Sequence, residues 1–159
     1  MTTRIDPDSV GFLLNDLARL YRAEFERQVE VEATPVTPAE ARALAHLARS
    51  GAVRQVRLAE SLRISPMSLC GLLDRLESAG LVARSDDPHD RRAKIVELTP
   101  RADTVLATIV VVGRRAEAVA RRGIADADWQ RFRAVAVAVR ANLGEARAES
   151  TEPAAETVE

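Results

Sequence analysis

Leu81-Val-Ala-Arg-Ser-Asp-Asp-Pro-His-Asp-Arg-Arg-Ala-Lys-Ile-Val-Glu-Leu-Thr-Pro100 reads as a short β-hairpin whose loop carries acid and arginine together. The runs Leu81 to Ser85 and Ala93 to Leu98 are rich in apolar and β-branched residues, and Asp87-Pro88 opens a polar loop between them. In that loop Asp90 stands beside Arg91 and Arg92. A carboxylate two residues before a guanidinium can hold that long side chain in one direction through a charge-assisted hydrogen bond. An aimed Arg suits the narrow minor groove of DNA, where potential and width are read as much as base edges. A solvated hairpin with ordinary surface charges has the same composition, so the preceding segment decides between the two.

That segment, Ser65 to Gly80, has the start and stop signals of one helix. Ser65 is a good N-cap, Pro66 suits the first helical position, and Gly80 sits where a left-handed C-cap belongs. Leu81, just beyond, can touch Leu76. Leu69, Leu72, Leu73 and Leu76 form one apolar stripe at helical spacing. The opposite face carries Met67, Gly71, Asp74 and Ser78, flanked by Cys70 and Arg75. Small side chains there let a helix sit deep in a major groove, and equally suit any exposed helix. Upstream, Val56 to Ser65 gives a short helix and a tight connection in which Arg63 takes the place often held by glycine. The two helices share Leu58, Ala59, Leu62 and Ile64 as a core, which makes a helix-turn-helix with its second helix entering the groove. Before them, Thr37-Pro-Ala-Glu40 is a capping box opening a helix that ends near Ser50-Gly51.

Helix, helix-turn-helix, hairpin is the winged helix-turn-helix order, and residues 37–101 resemble the multiple antibiotic resistance regulator (MarR) family of bacterial transcription factors. The resemblance rests on Leu58-Ala-Glu60, on Leu73-Asp-Arg-Leu-Glu-Ser-Ala-Gly-Leu-Val-Ala-Arg84, and on Asp87-Pro-His-Asp-Arg-Arg-Ala-Lys-Ile-Val-Glu-Leu-Thr-Pro100. It implies that Arg92 is the minor-groove probe, Asp90 its orienting carboxylate, and Ser65 to Ala79 the recognition helix. Two residues depart from the family pattern. Gly71 stands where relatives often carry a polar or basic side chain, and Pro66 removes one backbone N–H that could have met a phosphate. With the recognition helix thinned in this way, the loss of Arg92 is expected to matter more than the loss of any one residue of Ser65 to Ala79.

The flanks complete a mainly α fold with one small β-hairpin. A 159-residue chain, 47% hydrophobic, can bury more core than a winged helix alone supplies. Val10 to about Val31 reads as an amphipathic helix with Leu13, Leu14, Leu17, Ala18, Leu20 and Tyr21 on its apolar side. Thr99-Pro100 starts another helix running to about Arg122. It is read as helix despite the β-branched Ile109 to Val112, because the start signal and the long pattern outweigh four residues of propensity. Asp126 is expected to cap a last helix reaching about Ala146, with Trp129, Phe132, Val135, Val139 and Leu143 along one side. The expected organisation is a dimerisation helix over 1–33, the DNA-binding domain over 34–101, dimerisation helices over 102–147 and a disordered tail over 148–159. Apolar terminal helices without a second domain to cover them point to a two-fold homodimer. Its two recognition helices would read a pseudo-palindromic double-stranded DNA operator with half-sites about 10 base pairs apart. A monomer whose helices simply complete the core is the alternative.

Net charge is −1, but the charge is uneven: residues 1–33 carry 4 basic and 7 acidic side chains, residues 34–101 carry 11 and 8, and residues 102–159 carry 8 and 9. The positive middle is the part expected to meet DNA. Arg54, Arg57, Arg63, Arg75, Arg84, Arg91, Arg92, Lys94 and Arg101 are its candidate phosphate contacts, with Ser65, Pro66, Met67, Ser68 and Gly71 at the groove-facing start of the recognition helix.

Cys70 is the only cysteine, which excludes an intrachain disulfide and fits a cytoplasmic setting. On the recognition helix it is either an inert small residue or a thiol whose oxidation disturbs DNA binding. His46 and His89 are far apart in sequence and have no cysteine nearby, so no metal or other cofactor is expected. No phosphate loop, nucleophile elbow or catalytic acid pair appears, so an enzyme is not expected. No signal peptide or bilayer-spanning run is seen, and no membrane partner is expected. The expected function is a dimeric, ligand-responsive repressor. The resemblance implies an effector pocket that often takes aromatic acids, and in it Arg22 or His46 is a candidate carboxylate partner. A winged-helix module that binds protein without sequence-specific DNA binding is the alternative.

Overall fold

The computed structural model describes residues 6–149. Six α-helices and a three-stranded antiparallel sheet follow one another as α1 (Val10–Val31), α2 (Pro38–Ser50), β1 (Val53–Arg54), α3 (Gln55–Leu62), α4 (Pro66–Ser78), β2 (Val82–Asp87), β3 (Asp90–Leu98), a 3-10 turn (Pro100–Ala102), α5 (Asp103–Ala120) and α6 (Asp126–Glu149). The chain forms two compact units, one ending at Ala120 and one starting at Arg121. The block expected over 102–147 is thereby divided, because α5 packs against α1 within the first unit.

Local chemistry sets most helix ends. Thr37 caps α2 through its side chain while the Glu40 carboxylate takes the Thr37 amide at 2.8 Å, so the capping box closes in both directions. Ser65 Oγ accepts the Ser68 amide at 3.0 Å and starts α4. At its other end the Gly80 and Leu81 amides return to the carbonyls of Glu77 and Leu76 at 2.8 and 2.9 Å, a Schellman ending with Gly80 at φ 71°. A side chain on Gly80 would also meet Arg101, 3.0 Å away. The same ending closes α3, where the αL position is held by Arg63 at φ 55°, a conformation that L-residues adopt at a cost.

The core lies in the first unit, where Leu44, Leu47, Leu58, Leu69, Leu73 and Leu76 are fully buried. The apolar stripe Leu69, Leu72, Leu73 and Leu76 faces it as expected. Ile109 and Val112 are buried too, and their packing holds the β-branched run in α5 as helix against its local preference.

The sheet differs from the expected two-stranded hairpin in two respects. A third strand, β1, pairs with β3 through Val53 and Val96, giving the order β1-β3-β2. The turn is also tighter: only Pro88 and His89 lie between the strands, so Asp90, Arg91 and Arg92 belong to β3 and not to a loop. Asp87 enforces this, its Oδ1 accepting the His89 amide at 2.8 Å beside a register shift at Asp86/Asp87. Thr99 then fastens the end of β3 to the end of α4, its hydroxyl donating to the Gly80 carbonyl at 2.5 Å and its amide to Leu81 at 3.0 Å. The hairpin and α4 are thus fastened to one another at this corner.

In the second unit Asp126 is the first residue of α6 and not its cap, and its carboxylate pairs with Arg121. The helix runs past the expected Ala146 to Glu149. The residues expected to form most of the tail, 150–159, lie outside the described residues.

Candidate nucleic-acid interface

The alternation of β3 puts Asp90, Arg92 and Lys94 on one face of the hairpin. That face, together with α3 and the first turns of α4, encloses a groove of about 310 Å³. Arg54, Gln55, Arg92 and Lys94 stand around it, and Val56, Ala59, Pro66 and Leu69 supply apolar wall. Four of the residues expected at the interface, Arg54, Pro66, Arg92 and Lys94, therefore meet there with Asp90. Gln55 and Val56 had no signal in the sequence beyond their place at the start of α3.

Asp90 does not aim Arg92 as expected. Its Oδ1 accepts the Arg92 backbone amide at 3.0 Å, and no described carboxylate pairs with the Arg92 guanidinium, whose residue is exposed. A carboxylate two residues earlier on a tight strand is closer to the main chain than to the tip of a six-bond side chain. Arg92 is oriented at its backbone and its cation is left free. The Arg91 side chain lies outside the described residues.

The other basic residues fall into two groups. Arg63 and Arg101 have no described carboxylate partner, while Arg54, Arg57, Arg75, Arg84 and Lys94 are ion-paired within the chain. Arg54 Nε donates to Asp87 Oδ2 at 2.6 Å, spanning the sheet from one edge strand to the other, and the Asp87 side chain is only 4% exposed. The His89 amide and the Arg54 guanidinium hold the Asp87 carboxyl below its ordinary pKa against the opposing effect of burial. Arg75 Nε donates at 2.6 Å to the buried Glu40 carboxylate, tying α4 to α2. Burial alone would raise the Glu40 pKa, but hydrogen bonds from Thr37 and Arg75 outweigh it and lower it. Arg84 reaches from β2 to Glu77 at 2.5 Å and Asp74 at 2.7 Å on α4. Lys94 pairs with Asp86 at 2.5 Å in the open, and Arg57 with Glu60 at 3.1 Å. Exposed pairs of this kind are weak and exchange readily with phosphate, whereas the Arg75 and Arg84 contacts brace the corner itself.

The N-terminus of α4 presents Ser65, Met67 and Ser68. The two serine hydroxyls lie 2.8 Å apart, one donating to the other, which leaves one hydroxyl proton to donate outward. Met67 is 85% exposed. Cys70 is exposed and its Sγ accepts from Gln55 Nε2 at 3.1 Å.

At Gly71 a Cβ would meet nothing nearer than Arg75 Nη1 at 3.9 Å, so no contact inside the fold requires glycine there. Gly71→Ala is expected to raise stability by about 1 kcal/mol through helix propensity, read by urea denaturation. A destabilised variant would contradict the open space beside Gly71.

Arg22 and His46 stand away from the groove. Arg22 is exposed on α1, and His46 is half-buried on α2 with Nε2 3.5 Å from Ser50 Oγ. Burial, helped by Arg49, lowers the His46 pKa, so at neutral pH the ring acts as a hydrogen-bonding group and not as a cation. Among the described residues no cluster of His, Cys, Asp or Glu has metal-ligand geometry, and no helix is long and apolar enough to cross a membrane.

Known proteins share this arrangement. The model of the MarR family matches residues 34–93. The HTH-type transcriptional repressor MdtR of Bacillus subtilis (strain 168) is 32% identical over 113 residues, 68% of this chain and 72% of that protein. The crystal structure of MarR superposes with a TM-score of 0.73 at 25% identity, covering 92% of this chain and 99% of that one. BpsR of Bordetella bronchiseptica, whose DNA binding is regulated by 6-hydroxynicotinic acid, superposes with a TM-score of 0.62 at 25% identity over 86% of this chain and 99% of that one.

Proposed function

The chain belongs to the MarR family of transcriptional regulators, and we propose that within it this protein is a homodimeric, ligand-responsive repressor of a pseudo-palindromic operator. The observation that carries the DNA contact is the unpaired Arg92 at the edge of the groove shared by the wing, α3 and the start of α4. In this reading α4 enters the major groove and Arg92 the adjacent minor groove. Arg63 and Arg101 meet the phosphates, the exposed pairs of Arg57 and Lys94 can open toward them, and Arg54 stays with the buried Asp87. Arg75 and Arg84 keep their internal partners and hold helix and wing at a fixed angle.

The dimer is supported by surface chemistry. Phe12, Leu13, Leu14, Leu17, Leu20 and Tyr21 are each more than 40% exposed on α1, whose only buried residues are Gln28 and Val29. The helix α6 likewise exposes Phe132, Val135 and Leu143. A monomer that left these apolar helix faces in water would be unusual, and a two-fold partner covers them. Ligand response is supported by the regulation of BpsR by 6-hydroxynicotinic acid. A small aromatic acid is the matching effector in this reading, with Arg22 or His46 as the candidate partner of its carboxylate. Such a ligand acts by favouring one spacing of the two recognition helices over another.

Exposed Val56 and Met67 favour a second reading, in which the same face docks a protein. A mobility-shift assay on the chain's own upstream DNA, with unrelated DNA as competitor, separates the two. The expected result is a selective complex containing two protomers. Absence of any selective complex would contradict the repressor reading and leave protein docking.

A further inference from the structure

Away from the groove, one side chain joins three helices. Arg42 of α2 donates through Nη1 to Glu26 Oε1 of α1 at 2.8 Å and through Nη2 to the backbone carbonyl of Leu62 at 2.9 Å. Leu62 is the last residue of α3, so its carbonyl is among those a helix end leaves without an intrahelical donor. A cation at that end is also favoured by the helix dipole. The next residue is Arg63 in its left-handed conformation, and two residues later Ser65 caps the recognition helix. Arg42 therefore grips the point from which the direction of α4 is set.

Its other hand holds α1 at a telling position. Glu26 lies between the exposed apolar stretch that ends at Tyr21 and the buried Gln28 and Val29 that anchor α1 to the winged domain. Only the planar, forked guanidinium reaches two acceptors on different helices at once, and an ammonium on a single stem does not. The Arg42 side chain is one-fifth exposed and is engaged with protein on both sides.

We propose that Arg42 is a positioning residue for DNA recognition: by tying Glu26 of α1 to the Leu62 carbonyl, it fixes the turn into α4 and passes any displacement of α1 to the aim of the recognition helix. This rests on the DNA-binding reading of α4 and the wing. It gives the regulator a short physical route from its proposed dimer helix to its reading head, through two hydrogen bonds and no ligand contact.

The test compares the full-length chain with Glu26→Gln, Arg42→Lys, Arg42→Gln and the Glu26→Gln/Arg42→Gln double variant. Affinity for the upstream DNA is measured across a salt titration, and amide exchange is followed at Arg63 and Ile64. Each single variant is expected to lose about tenfold in affinity, the scale of one charge-assisted hydrogen bond. The slope of log affinity against log salt stays unchanged, because no phosphate contact is removed. Exchange at the turn quickens, Arg42→Lys behaves like Arg42→Gln, and the double variant loses no more than Arg42→Gln alone. Wild-type affinity in Glu26→Gln and Arg42→Lys would overturn the proposal. So would additive losses, a slope reduced by about one unit as for a phosphate contact, or losses explained wholly by the unfolded fraction. If the wild-type chain bound no DNA, the reading beneath the proposal would fall with it, whereas wild-type binding with unaffected variants removes the proposal alone.

Discussion

Arg92→Ala is expected to weaken DNA binding by about 1–3 kcal/mol per protomer, and by about twice that in a dimer whose two wings act independently. The size follows from the state of the side chain before binding. Its guanidinium is exposed with no described carboxylate to surrender, so its attraction to the minor groove is not offset by a broken ion pair. Arg84→Ala removes a cation of the same type nearby, but one held by Glu77 and Asp74 on α4, and its effect should appear first as a loosened wing. Gly71 offers no side chain to the groove and one Ser65–Ser68 hydroxyl proton is spent within the cap, so in the proposed complex the wing is expected to carry a large share of the affinity. Fluorescence anisotropy on labelled upstream DNA measures the loss. Arg92→Ala binding as tightly as wild type would remove the wing probe from the account.

Salt should separate free from committed cations. If Arg63, Arg92 and Arg101 of each protomer meet phosphate or groove while the paired residues keep their internal partners, a dimer releases counterions from about six contacts. The slope of log affinity against log salt is then about −5, and affinity falls about a thousandfold between 50 and 200 mM salt. If all nine candidate cations per protomer engaged DNA, the slope would approach about −16. Exposed pairs such as Lys94–Asp86 can open to phosphate and steepen the first value somewhat. A slope near zero would be incompatible with phosphate contact of any kind.

The parts of the fold that are locally encoded could be read from the chain. Ser65-Pro66 and Thr37 to Glu40 announce helix starts and Gly80 a helix stop, because capping is satisfied within a few residues of where it is needed. Both ends of α4 follow from such signals. What escaped the sequence depends on partners far along the chain. Strand β1 is two residues long and exists only because Val96 lies opposite Val53. Arg75 and Glu40 are 35 residues apart, Arg54 and Asp87 33, and Arg42 reaches 16 and 20 residues to its two acceptors. Composition cannot distinguish an arginine awaiting phosphate from one holding a buried carboxylate. Asp90 shows the same limit at close range: the spacing brought acid and arginine together correctly, but the nearer main-chain amide takes the carboxylate.

In the proposed homodimer two copies of this chain read one operator with paired recognition helices and wings. Footprinting on the chain's own upstream DNA should then show one protected pseudo-palindrome with half-sites about 10 base pairs apart. Minor-groove protection flanking each half-site should disappear in Arg92→Ala. Uniform protection without sequence preference, or a selective site protected on a single half, would contradict it.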